Sequence, residues 1–128
     1  MDQISADFRV LVEQRPFVVI ESPYRSDTTK GLIRNHNYAK AVLNHSIELG
    51  ESPFISHLFY TQFLNDKLAD QRLAGMSAGW ALLSKADYVV AYLDLGWSDG
   101  MVEGIEKAAR LGLKVERRRI GWPLRSKI

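Results

Sequence analysis

The chain contains no cysteine. Disulfides, thiolate metal sites and a cysteine nucleophile are therefore excluded, and a reducing compartment is the expected setting. Net charge is also scarce, at +2 over 128 residues, too mild an excess to predict nucleic-acid binding. No apolar run is long enough to cross a bilayer, and the opening MDQISADF lacks the apolar core of a secretory signal. A cytoplasmic location without membrane contact is the expectation. Internal repeats and low-complexity linkers are absent too. His36 and His45 fall inside one helical segment, and with His57 they lack metal-ligand spacing, so neither a metal nor another cofactor is expected.

What remains is an ordinary globular balance, 46% hydrophobic and 25% charged, in a length that suits one domain with one core. The domain is expected to take in the whole chain, residues 1–128, with residues 1–15 as an N-terminal extension and 120–128 as a basic tail. Phe17 to Glu21 (FVVIE) and Tyr88 to Leu93 (YVVAYL) are dense apolar runs of the kind that form strands covered on both faces. Shorter strands are expected at Pro53–Ser56 and Lys114–Ile120. Helical periodicity places Ala39, Val42, Leu43 and Ile47 on one face of a helix over Leu32–Leu49. It places Leu73, Met76, Trp80 and Leu83 on a core-facing stripe over Lys67–Lys85. In a third helix, Met101–Leu111, residues Met101, Ile105, Ala108 and Gly112 form the buried face. A further short helix is expected before Arg15. Strands and helices alternate, which argues for a three-layer α/β/α, Rossmann-like domain with a mostly parallel four-stranded sheet in the order 2-1-3-4. Lys114, Arg117, Arg118, Arg119, Arg125 and Lys127 read as charge protecting an exposed edge strand. No aromatic ladder accompanies them, which argues against a nucleic-acid surface.

Ligands of such sheets bind beyond the carboxyl ends of the strands, where the strand order reverses. Three loops are therefore of interest. The first offers Ser22, Tyr24 and Arg25, a hydroxyl, a phenol and a guanidinium suited to a sugar or phosphate; a surface loop with one solvated arginine reads equally well. The second, His57–Asp66, offers His57, Tyr60 and Asp66, with no partner for the histidine legible in the sequence. The third carries WSDGMVEG. Ser98 or Asp99 can cap the following helix, Gly100 lets a ligand approach the backbone, and the exposed amides with the helix dipole form an anion site. An ordinary helix cap is the plainer reading, and the lysine of a P-loop is missing. Glu103 and Glu106 point away from the buried face and have i,i+4 partners in Lys107 and Arg110, which favours a solvated surface for Glu106 and leaves Glu103 open. Ser22, Tyr24, Arg25, Ser98 and Gly100 are expected to line one pocket with His57 nearby.

The ordered set SPYR, SPFISHLFYTQFLND and DLGWSDGM…GIEKA…GLKVE resembles the nucleoside 2-deoxyribosyltransferase-like superfamily, and within it a branch frequent in bacteriophage and prophage genomes. The resemblance spans roughly Phe17–Arg118. It implies a Rossmann-like parallel fold and an activity on the bond between a nucleobase and a (deoxy)ribose. In that superfamily a glutamate on the helix after the third loop attacks the anomeric carbon, a second carboxylate assists the leaving base, the 5′-phosphate binds near that helix's first turn, and subunits often share sites. Ser22, Tyr24 and Arg25 match the first ligand-facing loop. Ser98, Gly100 and Met101 match the loop that meets sugar or phosphate. Gly104 stands at the usual glutamate position, with Glu103 one residue early and rotated by about 100°.

Two functions follow. One is an N-glycoside hydrolase or deoxyribosyltransferase in which Glu103 forms the glycosyl intermediate and Asp94 or Asp66 handles the base proton. The other is a non-catalytic binder that sequesters or senses a nucleotide-derived molecule. A third reading is an interaction module whose FYTQFL loop meets a protein partner. The apolar residues Phe59, Tyr60, Phe63 and Leu64 point to a homodimer or larger assembly.

Overall fold

A computed structural model describes residues 3–123, with side chains from residue 7 onward. Arg125 and Lys127 of the basic tail lie outside the described residues. The chain begins with α1 (Gln3–Glu13) and β1 (Phe17–Glu21). It continues through α2 (Thr29–Glu48), β2 (Ser52–Phe54), a short α3 (Ser56–Phe59) and a 3-10 turn at Tyr60–Gln62. Then come α4 (Ala69–Leu83), β3 (Tyr88–Tyr92), α5 (Asp99–Arg110) and β4 (Val115–Arg118).

The four strands form one sheet in the order β2-β1-β3-β4, and every pairing is parallel, with Val18 beside Pro53, Val19 beside Val89 and Val90 beside Glu116. The chain leaves β1 for one neighbour and later returns as β3 on the other side. The order therefore reverses between the two central strands.

Side chains alternate across the sheet. Val18, Ile20, Val90 and Tyr92 pack with Tyr38, Ala39 and Val42 of α2. Val19 and Val89 pack on the opposite face with Leu83 of α4 and Ala108 of α5. These are the three layers α/β/α.

Several boundaries differ from the sequence reading. The helix expected from Leu32 begins at Thr29 because Thr28 caps it, its hydroxyl accepting the Gly31 amide at 3.0 Å. Ile47, expected on the buried face, is exposed. Ser46 is buried in its place and donates to Glu51 Oε1 at 2.7 Å. The aromatic segment after β2 coils into α3 and the 3-10 turn instead of running as a loop. In α4 only Leu83 of the expected stripe is buried, and Leu73 is 59% exposed. Met76 and Trp80 line a cavity, and Trp80 also packs against the cluster of Val19, Leu83 and Val89.

Arg118 is not part of a solvated basic edge. Its guanidinium donates to both oxygens of the buried Glu51, at 2.7 and 2.6 Å, and to the Tyr92 hydroxyl at 3.0 Å. Ser46 and Tyr88 complete the donors around Glu51. The Arg118 hydrogen bonds, with those from Tyr88 and Ser46, hold the Glu51 carboxyl down to about 2. A charge left buried without its partner is costly, so Arg118→Ala should lower the unfolding free energy by about 3 kcal/mol in urea titrations near neutral pH. Glu51→Gln/Arg118→Met should lose less. Equal midpoints for the parent and Arg118→Ala would contradict this assignment.

Candidate functional site

The alternation that sends Val18 and Ile20 toward α2 sends Glu21, the last residue of β1, to the same side as Val19. There α5 turns Met101, Gly104 and Ala108 inward. Glu21 fits because residue 104 has no side chain. A Cβ at Gly104 would overlap the Glu21 carboxylate, and even the more distant oxygen, Oε2, lies 2.8 Å from the Cβ position. The cavity beside this contact has a volume of about 510 Å³, within the size range of small-molecule sites. It is lined from the carboxyl ends of β1 and β2 and from the loop and helix that follow β3. Both Glu21 and Glu103 line it.

Glu21 is only partly exposed, and among the described residues no group donates a hydrogen bond to it. Burial, with the negative charge of Glu103 added, pushes its carboxyl up to about 8. Glu103 is exposed and lacks the ion pair expected of it. Lys107 instead sits over the Trp80 ring, 5.0 Å from its centroid. Glu106 does pair with Arg110, at 2.7 Å.

Other lining groups come from the three expected loops, and α4 adds Met76, Gly79, Trp80 and Leu83. Ser22, Tyr24, Arg25, His57, Ser98, Gly100 and Met101 all line the same cavity. Asn35, fully buried in α2, holds the first loop in place through hydrogen bonds from its amide to the carbonyls of Tyr24 and Arg25, at 3.1 and 3.3 Å. The His57 ring stacks on Tyr24 with centroids 4.9 Å apart, and its Nε2 lies 3.2 Å from the Ser22 hydroxyl. Its Nδ1 is buried without a partner. Burial lowers the ring to about 4, so His57 is neutral at physiological pH and serves as a hydrogen-bonding group, not as a charge. Ser98 caps α5 by accepting the Met101 amide at 3.2 Å. A side chain at Gly100 would meet nothing within 4 Å, so the space at that Cβ position is open.

Tyr60 and Asp66 are placed elsewhere. They line a smaller adjoining cavity of about 130 Å³ that shares Tyr24, Arg25, Ser56, His57 and Met76 with the larger one. Asp94 lines neither cavity. It receives the Tyr38 hydroxyl at 2.6 Å and the amides of Ile120, Gly121 and Trp122, which ties the segment after β4 to the sheet. Burial opposes its ionisation, but these hydrogen bonds hold the Asp94 carboxyl below its ordinary value.

Sequence reasoning missed Glu21, Asn35 and the α4 residues Met76, Gly79 and Trp80. For Glu21 a signal was available. A carboxylate closes an otherwise apolar strand on a face that should be covered, directly before a ligand-facing loop. Among the described residues no cluster of three His, Asp or Glu side chains could hold a metal ion. No described helix is long and apolar enough to cross a membrane.

Residues 16–118 match the family described as a domain of unknown function, DUF7768. The chain belongs to the DUF7768 family. A solved 2-deoxyribosyltransferase from the psychrotolerant bacterium Bacillus psychrosaccharolyticus superposes on this DUF7768 domain with a TM-score of 0.60. The match covers 86% of this chain and 77% of the other at 14% identity, a likeness of fold. Among curated proteins no sequence relative was found.

The raised Glu21 carboxyl has a consequence for stability. Its folded value of about 8 lies above the ordinary 4.5, so the folded state holds the proton more tightly than the unfolded chain. Its protonated form favours folding, and that advantage is lost as pH rises from about 4.5 through 8. Glu21→Gln should remove this dependence. Relative to the variant, the parent should lose on the order of 2 kcal/mol between pH 5 and 8 in urea melts. Parallel stability profiles would contradict it.

Proposed function

We propose that this DUF7768 protein binds a nucleoside or nucleotide in the larger cavity. We further propose that it cleaves or exchanges the bond between base and sugar, as an N-glycoside hydrolase or deoxyribosyltransferase. One observation carries the reading: two carboxylates, Glu21 and Glu103, share a cavity with a guanidinium, a capped helix N-terminus and a stacked Tyr24–His57 pair. Base–sugar cleavage needs carboxylates at the anomeric carbon and the leaving group. Arg25 and the amides after Ser98 suit a phosphate or carboxylate. Ser22, Gly100 and Met101 suit the sugar, and Tyr24 and His57 suit the base. Glu103 is the candidate for attack on the anomeric carbon. Asp66, from the adjoining cavity with Tyr60, and Asp94, already committed to four donors, stand further from that role. The fold shared with a 2-deoxyribosyltransferase and the ordered SPYR and WSDGM segments support the same chemistry, and those segments support placement in the phage and prophage branch.

A second reading, a binder without turnover, is favoured by one feature: α5 carries Gly104 where the resembling enzymes carry their glutamate. The absence of cysteine supports a cytoplasmic setting for either.

The protein is also proposed to work as a homodimer or larger. Phe59 and Phe63 are 50% and 62% exposed, with ring centroids 5.4 Å apart, an apolar cluster of the kind that normally meets a partner. Light scattering should then give a mass at least double the 14.5 kDa of one chain, and a monomer at high concentration would count against it.

Incubation with a panel of nucleosides and nucleotides should release or transfer free base, read by chromatography. Calorimetric binding with no base product selects the binder. In either case Arg25→Ala should weaken an anionic ligand by about 1.5–3 kcal/mol, the worth of a hydrogen bond to a charged group. Unchanged affinity would remove Arg25 from the site.

A further inference from the structure

The larger cavity contains a carboxylate, Glu21, that neither the family description nor the sequence resemblance singles out. Glu21 reaches it from the strand, not from the helix. It occupies the volume that any side chain at residue 104 would fill. Among the described residues it has no hydrogen-bond donor, so its position is not explained by a structural ion pair of the kind that holds Glu51. A carboxyl partly withdrawn from water, lining a cavity and without a protein donor, is free to engage a ligand there.

We propose that Glu21 is the proton donor to the leaving base, and that Gly104 is glycine because this carboxyl lies against the α5 backbone. The proposal rests on the base–sugar chemistry above. Glu21 gives its proton to a ring nitrogen of the base as the bond from the anomeric carbon to the base breaks. The bonding electron pair leaves with the base, which departs neutral. The Glu103 carboxylate takes the anomeric carbon as a glycosyl ester. Water then attacks that carbon, Glu21 takes the proton from the water, and the ester opens to return Glu103 as carboxylate. A second base with an N–H can replace water, and transfer results. Each cycle ends with Glu21 protonated and Glu103 ionised.

The surroundings suit this division. Glu103 and Asp99 of α5 line the cavity with Glu21, as do Arg25 and Tyr24 from the loop after β1 and His57 from α3. His57 is neutral over the working range, so it neither supplies nor removes the charge that sets Glu21. Burial and the Glu103 charge keep Glu21 protonated to about pH 8. Two carboxyls whose environments divide them into acid and anion are what such a reaction requires.

The test measures base release by the full chain across the nucleoside and nucleotide panel, with Glu21→Gln and Gly104→Ala as variants. Glu21→Gln should lose at least about 100-fold in base release while binding the same nucleotide in calorimetry. The kcat/KM of the parent should fall above about pH 8, and the residual activity of Glu21→Gln should lack that limb. Gly104→Ala puts a methyl where the carboxyl lies and removes a helical glycine. It should lose base release while unfolding at an equal or higher urea concentration. Loss in both variants with folding retained supports the proposal. Undiminished base release in Glu21→Gln overturns this role and leaves the base–sugar reading standing. Full activity in Gly104→Ala overturns the part given to the glycine. A parent that releases and transfers no base from any member of the panel overturns both readings.

Discussion

The Glu21 carboxylate rests against the bare backbone of Gly104, and the geometry of the cavity follows from that contact. Any side chain at 104 would drive the carboxylate out of its place. An apolar residue at 21 would continue the apolar face begun by Val19 and remove a carboxylate from the cavity. With glutamate on the strand and glycine on the helix, the sheet face ends in a cavity that sets two carboxylates among apolar side chains of α4 and α5. The same space borders Met76 and Trp80 of α4, and Trp80 also packs against the core cluster of Val19 and Val89.

Two glutamates, the buried Glu51 and the partly exposed Glu21, show how environment divides one side-chain type between two tasks. Glu51 is surrounded by donors, with Arg118 on both oxygens and Ser46 and Tyr88 completing the set. It remains ionised and joins the start of β2 to β3 and β4. Glu21 has no such donors and a second carboxylate nearby, and it holds its proton. Desolvation acts on both, and hydrogen bonds to the charged form decide the difference. Glu51 and Asp94 belong to the scaffold by this criterion, and Glu21 to the site.

Much of the architecture was legible in the sequence. FVVIE and YVVAYL suit strands covered on both faces, and their alternation with helical periods leads to the parallel order β2-β1-β3-β4. Ser22, Tyr24, Arg25 and the WSDG segment follow strand ends, so topology alone brings them near one another. Other features depended on long-range contacts that no local pattern encodes. The period of α4 marks an apolar face but not whether a sheet or a cavity lies beneath it. Arg118 sits among basic residues in sequence, yet it turns inward because Glu51, 67 positions earlier, is waiting there. Asp94 follows a strand as a catalytic carboxylate would, but the amides of Ile120, Gly121 and Trp122 fold back onto it. Gly104 reads as a loss when α5 is considered alone, and becomes intelligible only beside the residue that ends β1.

The most direct test of the account is a carbon-13 NMR titration of the Glu21 side-chain carboxyl in the intact chain, assigned by comparison with Glu21→Gln. The account predicts a midpoint near 8, moving downward when Glu103→Gln removes the neighbouring charge. A midpoint near the ordinary 4.5, unaffected by Glu103→Gln, would contradict it.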